Sequence, residues 1–243
     1  MSLKPVTLIT HVRHYIGPAA AKRLLREDMT VVCHDRSFAD PQARAAFAAE
    51  MPGAAVIAAM EPAGIAVEVE ARFGRLDALV SNDPYPAIRA PIDEADPGEF
   101  RRALEALAVW PYTLIGKAAA IMKRQRTGRI IIMSSAAPLT GIPNYSTYAA
   151  ARGAANAMVP SLARELAPHG ISVNAIAPNY IKNPDYFPPE LLANADALAK
   201  MLKNIPLGRL GEPEEVAELI AVFASGRCGF VTGHVLPVAG GWA

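Results

Sequence analysis

The chain has 243 residues, of which 52% are hydrophobic, 19% charged and 7% aromatic, a composition that excludes disordered and collagen-like proteins. Lysine plus arginine total 24 against 23 for aspartate plus glutamate, a formal net charge of +1, and no segment gathers the basic residues into a patch for nucleic acid. Cys33 and Cys228 are the only cysteines, too few for a disulfide scaffold and without metal-site spacing, so a reducing cytoplasm is the expected compartment.

At the N-terminus, Met-Ser-Leu-Lys-Pro leads into an apolar run of strand length. There is no basic leader, no cleavage site and no stretch of about 18 apolar residues, so neither secretion nor membrane spanning is expected. Short β-branched runs then alternate with longer amphipathic ones. The pattern predicts strands over Val6 to Thr10, Thr30 to His34, Ala54 to Ala58, Leu76 to Ser81, Arg129 to Ser134, Ile171 to Ile176 and His234 to Val238. It predicts helices over Pro18 to Glu27, Pro41 to Glu50, Glu61 to Phe73, Pro97 to Arg124, Ser146 to Ala167 and Glu212 to Ala224. Each is long enough for a right-handed crossover between parallel strands. No linker or repeat interrupts the alternation, so residues 1–243 read as a single α/β domain with a Rossmann-like, doubly wound parallel sheet. The irregular stretch Pro178 to Pro189 follows the carboxyl end of the sixth strand, where open α/β sheets place their ligands.

Tyr148 and Arg152 stand four residues apart on a predicted helix, so both project from one face. A fixed guanidinium beside a phenol favours the phenolate, a general base. Ser135 lies thirteen residues upstream, at the end of a predicted strand, where its hydroxyl can orient a substrate oxygen. An exposed Tyr/Arg pair would have the same spacing; the serine at a strand end argues against that reading.

The spacing S-x12-Y-x3-K belongs to the short-chain dehydrogenases/reductases, and the chain resembles that family along nearly its whole length. Leu79-Val-Ser-Asn82, Asn174-Ala-Ile-Ala-Pro178, Pro206-Leu-Gly-Arg209 and Gly240-Gly241 agree with it. Three departures fall on cofactor contacts. Arg152 stands where the reductases carry Lys, which keeps the charge and impairs bonding to a nicotinamide ribose. The glycine-rich first turn is replaced by Thr10-His-Val-Arg-His-Tyr15-Ile-Gly17, which puts imidazoles, a guanidinium and a phenol where backbone must approach a pyrophosphate. Ser81-Asn82-Asp83-Pro84 replaces N-N-A-G.

This selective loss is similar to the halohydrin dehalogenases, relatives of the reductases that use no nicotinamide and show S-x12-Y-x3-R with T-x4-(F/Y)-x-G. The resemblance implies that vicinal haloalcohols close to epoxides with release of halide and a proton, and that small anions such as azide, cyanide or nitrite reopen epoxides. It assigns Tyr148 as base, Arg152 as its cation and Ser135 as donor to the substrate oxygen, with no cofactor and no metal. The halide site maps to Tyr15, Pro178, Asn179, Tyr180 and Ile181, through backbone N–H groups and aromatic edges. Asp83, Pro84, Ile142, Tyr145, Tyr186 and Phe187 map to the substrate pocket or proton path. The resemblance also implies a homotetramer through the long fourth and fifth helices, whose alanine-rich faces would pack closely.

Some assignments remain open. Asn179 and Tyr180 also suit an ordinary turn, and Asp83 either passes the proton to water or caps a turn. Ser134 faces away by strand alternation and is structural. His11 and His14 lack a third ligand for a metal, and Trp110 reads as core or interface. Two rival functions are an NAD(P)-dependent oxidoreductase, with Asp35 on an adenosine ribose, and a noncatalytic Rossmann-fold regulator.

Overall fold

A computed structural model describes residues 4–243. Seven apolar runs pair as one parallel sheet in the order β3-β2-β1-β4-β5-β6-β7. The strands are β1 (Val6–Ile9), β2 (Thr30–Cys33), β3 (Ala55–Val56), β4 (Ala78–Ser81), β5 (Gly128–Met133), β6 (Ile171–Pro178) and β7 (Val235–Val238). All residues of β1 and β4 are buried, the signature of strands covered on both faces. β3, predicted over five residues, keeps two: Ala58 and Ala59 turn their N–H groups to Glu68 Oε2 at 3.0 and 2.9 Å and leave the ladder. β6 instead runs on to Pro178, which pairs with Val238 of β7.

The helices are α1 (Gly17–Leu24), α2 (Pro41–Glu50), α3 (Pro62–Phe73), α4 (Pro97–Leu104), α5 (Trp110–Gln125), α6 (Ala137–Thr140), α7 (Ser146–Leu166), α8 (Pro189–Ala193), α9 (Ala195–Leu202) and α10 (Pro213–Ser225). The single helix predicted over Pro97 to Arg124 is instead α4 and α5 joined by a π-helical run, Glu105–Val109. Pro111 explains the break. It has no N–H, and its ring crowds the carbonyl four residues back. The backbone widens there, and Trp110 N–H reaches back to Glu105 O.

Strand alternation sends side chains to two cores. Leu8, Val32, Leu79, Ile130 and Ile132 pack against α3, α5 and α7. On the other face, Ile9, Val31, Val80, Ile131 and Met133 meet α1 and α10. Ala118, Ala119, Ala151 and Ala155 are buried in this chain's own cores, while Ala120 and Ala150 are exposed. Among the described residues, no helix is long and apolar enough to cross a membrane.

The order places β1 beside β4, with β2 and β3 on one side and β5 to β7 on the other. Consecutive connections therefore diverge at that pair, and a crevice opens past the carboxyl ends of the strands.

Candidate active site

The crevice is a cavity of about 340 Å³, within the range of small-molecule sites. Every residue predicted for the site borders it except Pro84, which sits half-buried in the loop behind Asp83. Loops after β1, β4, β5 and β6 all contribute walls.

One flank is built on β5 and α7. One turn of helix separates Tyr148 from Arg152, and Arg152 Nε donates to Tyr148 Oη at 3.2 Å. The other guanidinium nitrogens donate to backbone carbonyls, Nη1 to Met133 O at 2.9 Å and Nη2 to Asp83 O at 3.0 Å. Burial opposes the charge on Arg152, but the neighbouring Tyr148, Tyr186 and Tyr15 outweigh it and raise the guanidinium above its ordinary value, so it remains a cation. Ser135 Oγ accepts the Ala137 N–H at 3.1 Å, which leaves its own hydrogen for an oxygen in the cavity. Ser134 also borders the cavity, which strand alternation does not predict. Its hydroxyl donates to Asn156 Oδ1 at 2.5 Å, and Asn156 Nδ2 donates to Ser135 O at 3.4 Å. The motif did not single out Asn156, although one further helical turn from Arg152 places it on the same face.

The opposite flank is the first turn, and it explains T-x4-Y-x-G residue by residue. Thr10 Oγ1 accepts the Asn82 N–H at 2.9 Å, and Asn82 Nδ2 donates to the carbonyls of His11 and His14 at 3.1 and 2.9 Å, tying the turn to β4. Tyr15 projects into the cavity from a left-handed backbone, φ 49°. A Cβ at Gly17 would strike the backbone of Val12, so α1 starts this close to the turn only with glycine. Of the four bulky residues expected to fill a dinucleotide's place, only His11 and Tyr15 point inward. Arg13 is exposed and lies over the Phe38 and Phe47 rings, and half-buried His14 faces Asp185.

The turn does not fit a pyrophosphate. Asp185 Oδ2 accepts the Tyr15 N–H at 3.1 Å, and Asp35 Oδ2 accepts that of Arg13 at 3.2 Å. Two carboxylates thus hold backbone donors of the kind that a dinucleotide's phosphates would need. Asp35 also accepts from Ser37 N and Oγ. Burial opposes its charge, and these bonds, with Arg13, bring its carboxyl below the ordinary range.

The loop after β6 forms the floor. Its predicted backbone donors are partly engaged: Asn179 N–H donates to Val238 O at 3.1 Å, and Tyr180 N–H to Asn179 Oδ1 at 3.0 Å. Among the described residues Asn179 Nδ2 is buried without a partner, so its side-chain amide is an open donor. Tyr180, like Tyr15, is left-handed, φ 56°.

Behind the cavity the structure gathers residues that no motif joined. Asp83 Oδ2 accepts from Ser81 Oγ at 2.6 Å. Its Oδ1 lies 3.2 Å from His11 Nδ1, within ion-pair distance but too poorly aligned for a hydrogen bond. Trp110 is core, as expected, and its indole packs against the imidazoles of His11 and His34 at centroid distances of 4.8 and 5.9 Å. Burial, with the adjacent His11, pushes His34 down to about 3. His34 and His11 are 23 positions apart, and only the β1–β2 pairing brings them together. Among the described residues, no group of three or more His, Cys, Asp or Glu side chains is placed to hold a metal.

The profile of the family described as enoyl-(acyl carrier protein) reductase matches residues 12–243. The chain therefore belongs to that reductase family, among the short-chain dehydrogenases/reductases. A solved structure titled "Dehalogenation enzyme" is 49% identical over 100% of both chains, with a TM-score of 0.96. "Halohydrin dehalogenase (HheC) bound to ethyl (2S)-oxiran-2-ylacetate" is 38% identical, covering 97% of this chain and 96% of that one, with a TM-score of 0.93. Cis-4-hydroxycyclohexanecarboxylate dehydrogenase of Sinomonas cyclohexanicum is 36% identical over 98% of this chain and 96% of its own length. The chain is thus similar both to dehalogenases and to redox enzymes.

Proposed function

We propose that this chain is a cofactor-independent halohydrin dehalogenase, a carbon–halide lyase acting on vicinal haloalcohols. The observation that carries the reading is the asymmetry of the site: Ser135, Tyr148 and Arg152 stand together, while carboxylates cover the turn that would receive a dinucleotide. The two dehalogenase neighbours support it.

In this reading Ser135 Oγ donates to the substrate hydroxyl oxygen, and Tyr148 Oη takes the hydroxyl proton. The oxygen's electron pair then forms a C–O bond to the neighbouring carbon, whose bond to halogen breaks, and halide departs with that bond's pair. Arg152 offsets the charge around Tyr148 Oη throughout. The proton leaves by way of water and Asp83. Asn179 Nδ2 and the Tyr15 and Tyr180 rings receive the halide, and azide, cyanide or nitrite uses the same place when the epoxide is reopened. The same proposal includes a homotetramer in the cytoplasm, for which a solution mass of four chains is expected.

The deciding experiment is incubation of the purified protein with a simple vicinal bromo-alcohol, without added cofactor, while bromide is followed. Stoichiometric bromide and epoxide are expected. The rival reading, an NAD(P)-dependent oxidoreductase, is favoured by the dehydrogenase relative. Saturable micromolar binding of NAD(H) or NADP(H), with no bromide release, would establish it instead.

A further inference from the structure

Arg152 supplies Tyr148 Oη with only one hydrogen bond, because its other two nitrogens are held by Met133 O and Asp83 O. A phenolate buried in the cavity wall needs more than one donor. A second stands opposite. Tyr186 Oη lies 3.1 Å from Tyr148 Oη, and Tyr15 Oη lies 2.8 Å from Tyr186 Oη. The Tyr85 backbone closes the chain: its carbonyl is 2.9 Å from both Tyr15 Oη and Tyr186 Oη, and its N–H donates to Tyr15 Oη at 3.2 Å.

We propose that Tyr186 is a positioning residue for the Tyr148 base, its hydroxyl donating to Tyr148 Oη when that oxygen carries negative charge, with Tyr15 as the next link. This rests on the base role read for Tyr148 above. Each phenol has one hydrogen, so the chain has two settings. While Tyr148 keeps its hydrogen, it donates to Tyr186, and Tyr186 donates to Tyr85 O. When Tyr148 is ionised, Tyr186 turns its hydrogen to Tyr148, Tyr15 turns to Tyr186, and Tyr85 N–H donates into Tyr15. Each link then polarises the next, all in one direction. The Tyr85 carbonyl makes the alternation possible, since it accepts whichever hydrogen is turned away.

The rings are held for this. Tyr15 and Tyr186 stack at 4.8 Å and 14°, and Tyr186 N–H donates to Asn183 Oδ1 at 2.9 Å. Burial first, and then negative charge on Tyr148, raise the Tyr186 phenol well above its ordinary range. Burial likewise raises Tyr15. Both phenols therefore stay protonated and act as donors. The charged or titratable groups around the chain include Tyr148 and Arg152 on α7, Asp83 after β4, His14 beside Tyr15, Asp185 on the loop of Tyr186, and on α4 Glu99, which accepts from the Tyr85 hydroxyl at 2.7 Å, with its partner Arg102.

Tyr186→Phe keeps the stacked ring and removes the donor. Two pH profiles test it: bromide release, and tyrosinate ultraviolet absorbance without substrate, the Tyr148 transition being the one missing from Tyr148→Phe. In Tyr186→Phe both onsets are expected to move up by about one pH unit. Tyr15→Phe should move them the same way by less, and serves as the second variant if Tyr186→Phe misfolds. Unchanged onsets, or an equal loss of rate at every pH, would overturn the proposal. The absorbance profile needs no turnover, so it tests the chain even if the protein releases no bromide.

Discussion

The two flanks of the cavity stand on one sheet edge and are built in opposite ways. On the β5/α7 flank, Ser134, Asn156 and Arg152 are all hydrogen-bonded to protein partners, and Asn156 and Arg152 occupy ordinary helical backbone. On the first-turn flank and the floor lie His11, Tyr15 and Tyr180, all left-handed without being glycine. The buried side-chain atoms without a hydrogen-bond partner among the described residues also fall there or just behind: both nitrogens of His11, His34 Nε2, Asp83 Oδ1 and Asn179 Nδ2. Left-handed backbone and unmet polar groups both cost stability and persist where surrounding structure enforces them, commonly at functional sites. One flank is regular and internally bonded, whereas the other gathers left-handed backbone and open polar groups.

The most severe way to break the contrast is to remove one atom from the ordered flank. Tyr148→Phe is expected to lower bromide release by about 10²- to 10⁴-fold, while circular dichroism and thermal midpoint stay near those of the parent. Near-native turnover would remove Tyr148 from the mechanism.

An intermediate effect is expected behind the other flank. The unfolded chain protonates His34 below its ordinary value of 6.5, whereas the folded chain resists until about 3. Stability is therefore present above pH 6.5 and is lost as pH falls from there toward 3, by about 2 kcal/mol at pH 5. Urea midpoints at pH 7 and pH 5 would show it, and His34→Gln should shrink the difference. Equal acid sensitivity in both proteins would mean that His34 is not the group responsible.

The smallest effect sharpens the comparison at the floor. Asn179→Leu preserves volume and deletes the buried, unpartnered amide donor. Azide and bromide should weaken together by about tenfold, measured as azide-dependent epoxide opening and its inhibition by bromide. If azide weakens alone, the two anions do not share the amide.

Legibility in the sequence differed between the flanks for a physical reason. Ser135, Tyr148 and Arg152 follow from a strand end and one helical turn, periodicities that local sequence carries. The departures at Thr10 to Gly17 were also readable, because a turn that needs glycine shows its absence. What those side chains do instead was not readable: Arg13 and His14 turn outward, and Asp185, some 170 positions away, reaches the Tyr15 N–H. Nor does the sequence show that Asn179 folds its own carbonyl oxygen onto Tyr180 N–H.

By itself the sequence determined the alternation of strands and helices, the Tyr148–Arg152 pair and the loss of the glycine turn, since each is set by residues within a few positions of one another. The tertiary structure decided everything that depends on non-consecutive strands: the β1–β4 crevice, the His11–His34 pair and the chain of three phenols that ends at the Tyr85 backbone. These contacts join residues from 23 to 171 positions apart, and no local periodicity encodes which side chain meets which across a sheet whose order departs from the order of the chain.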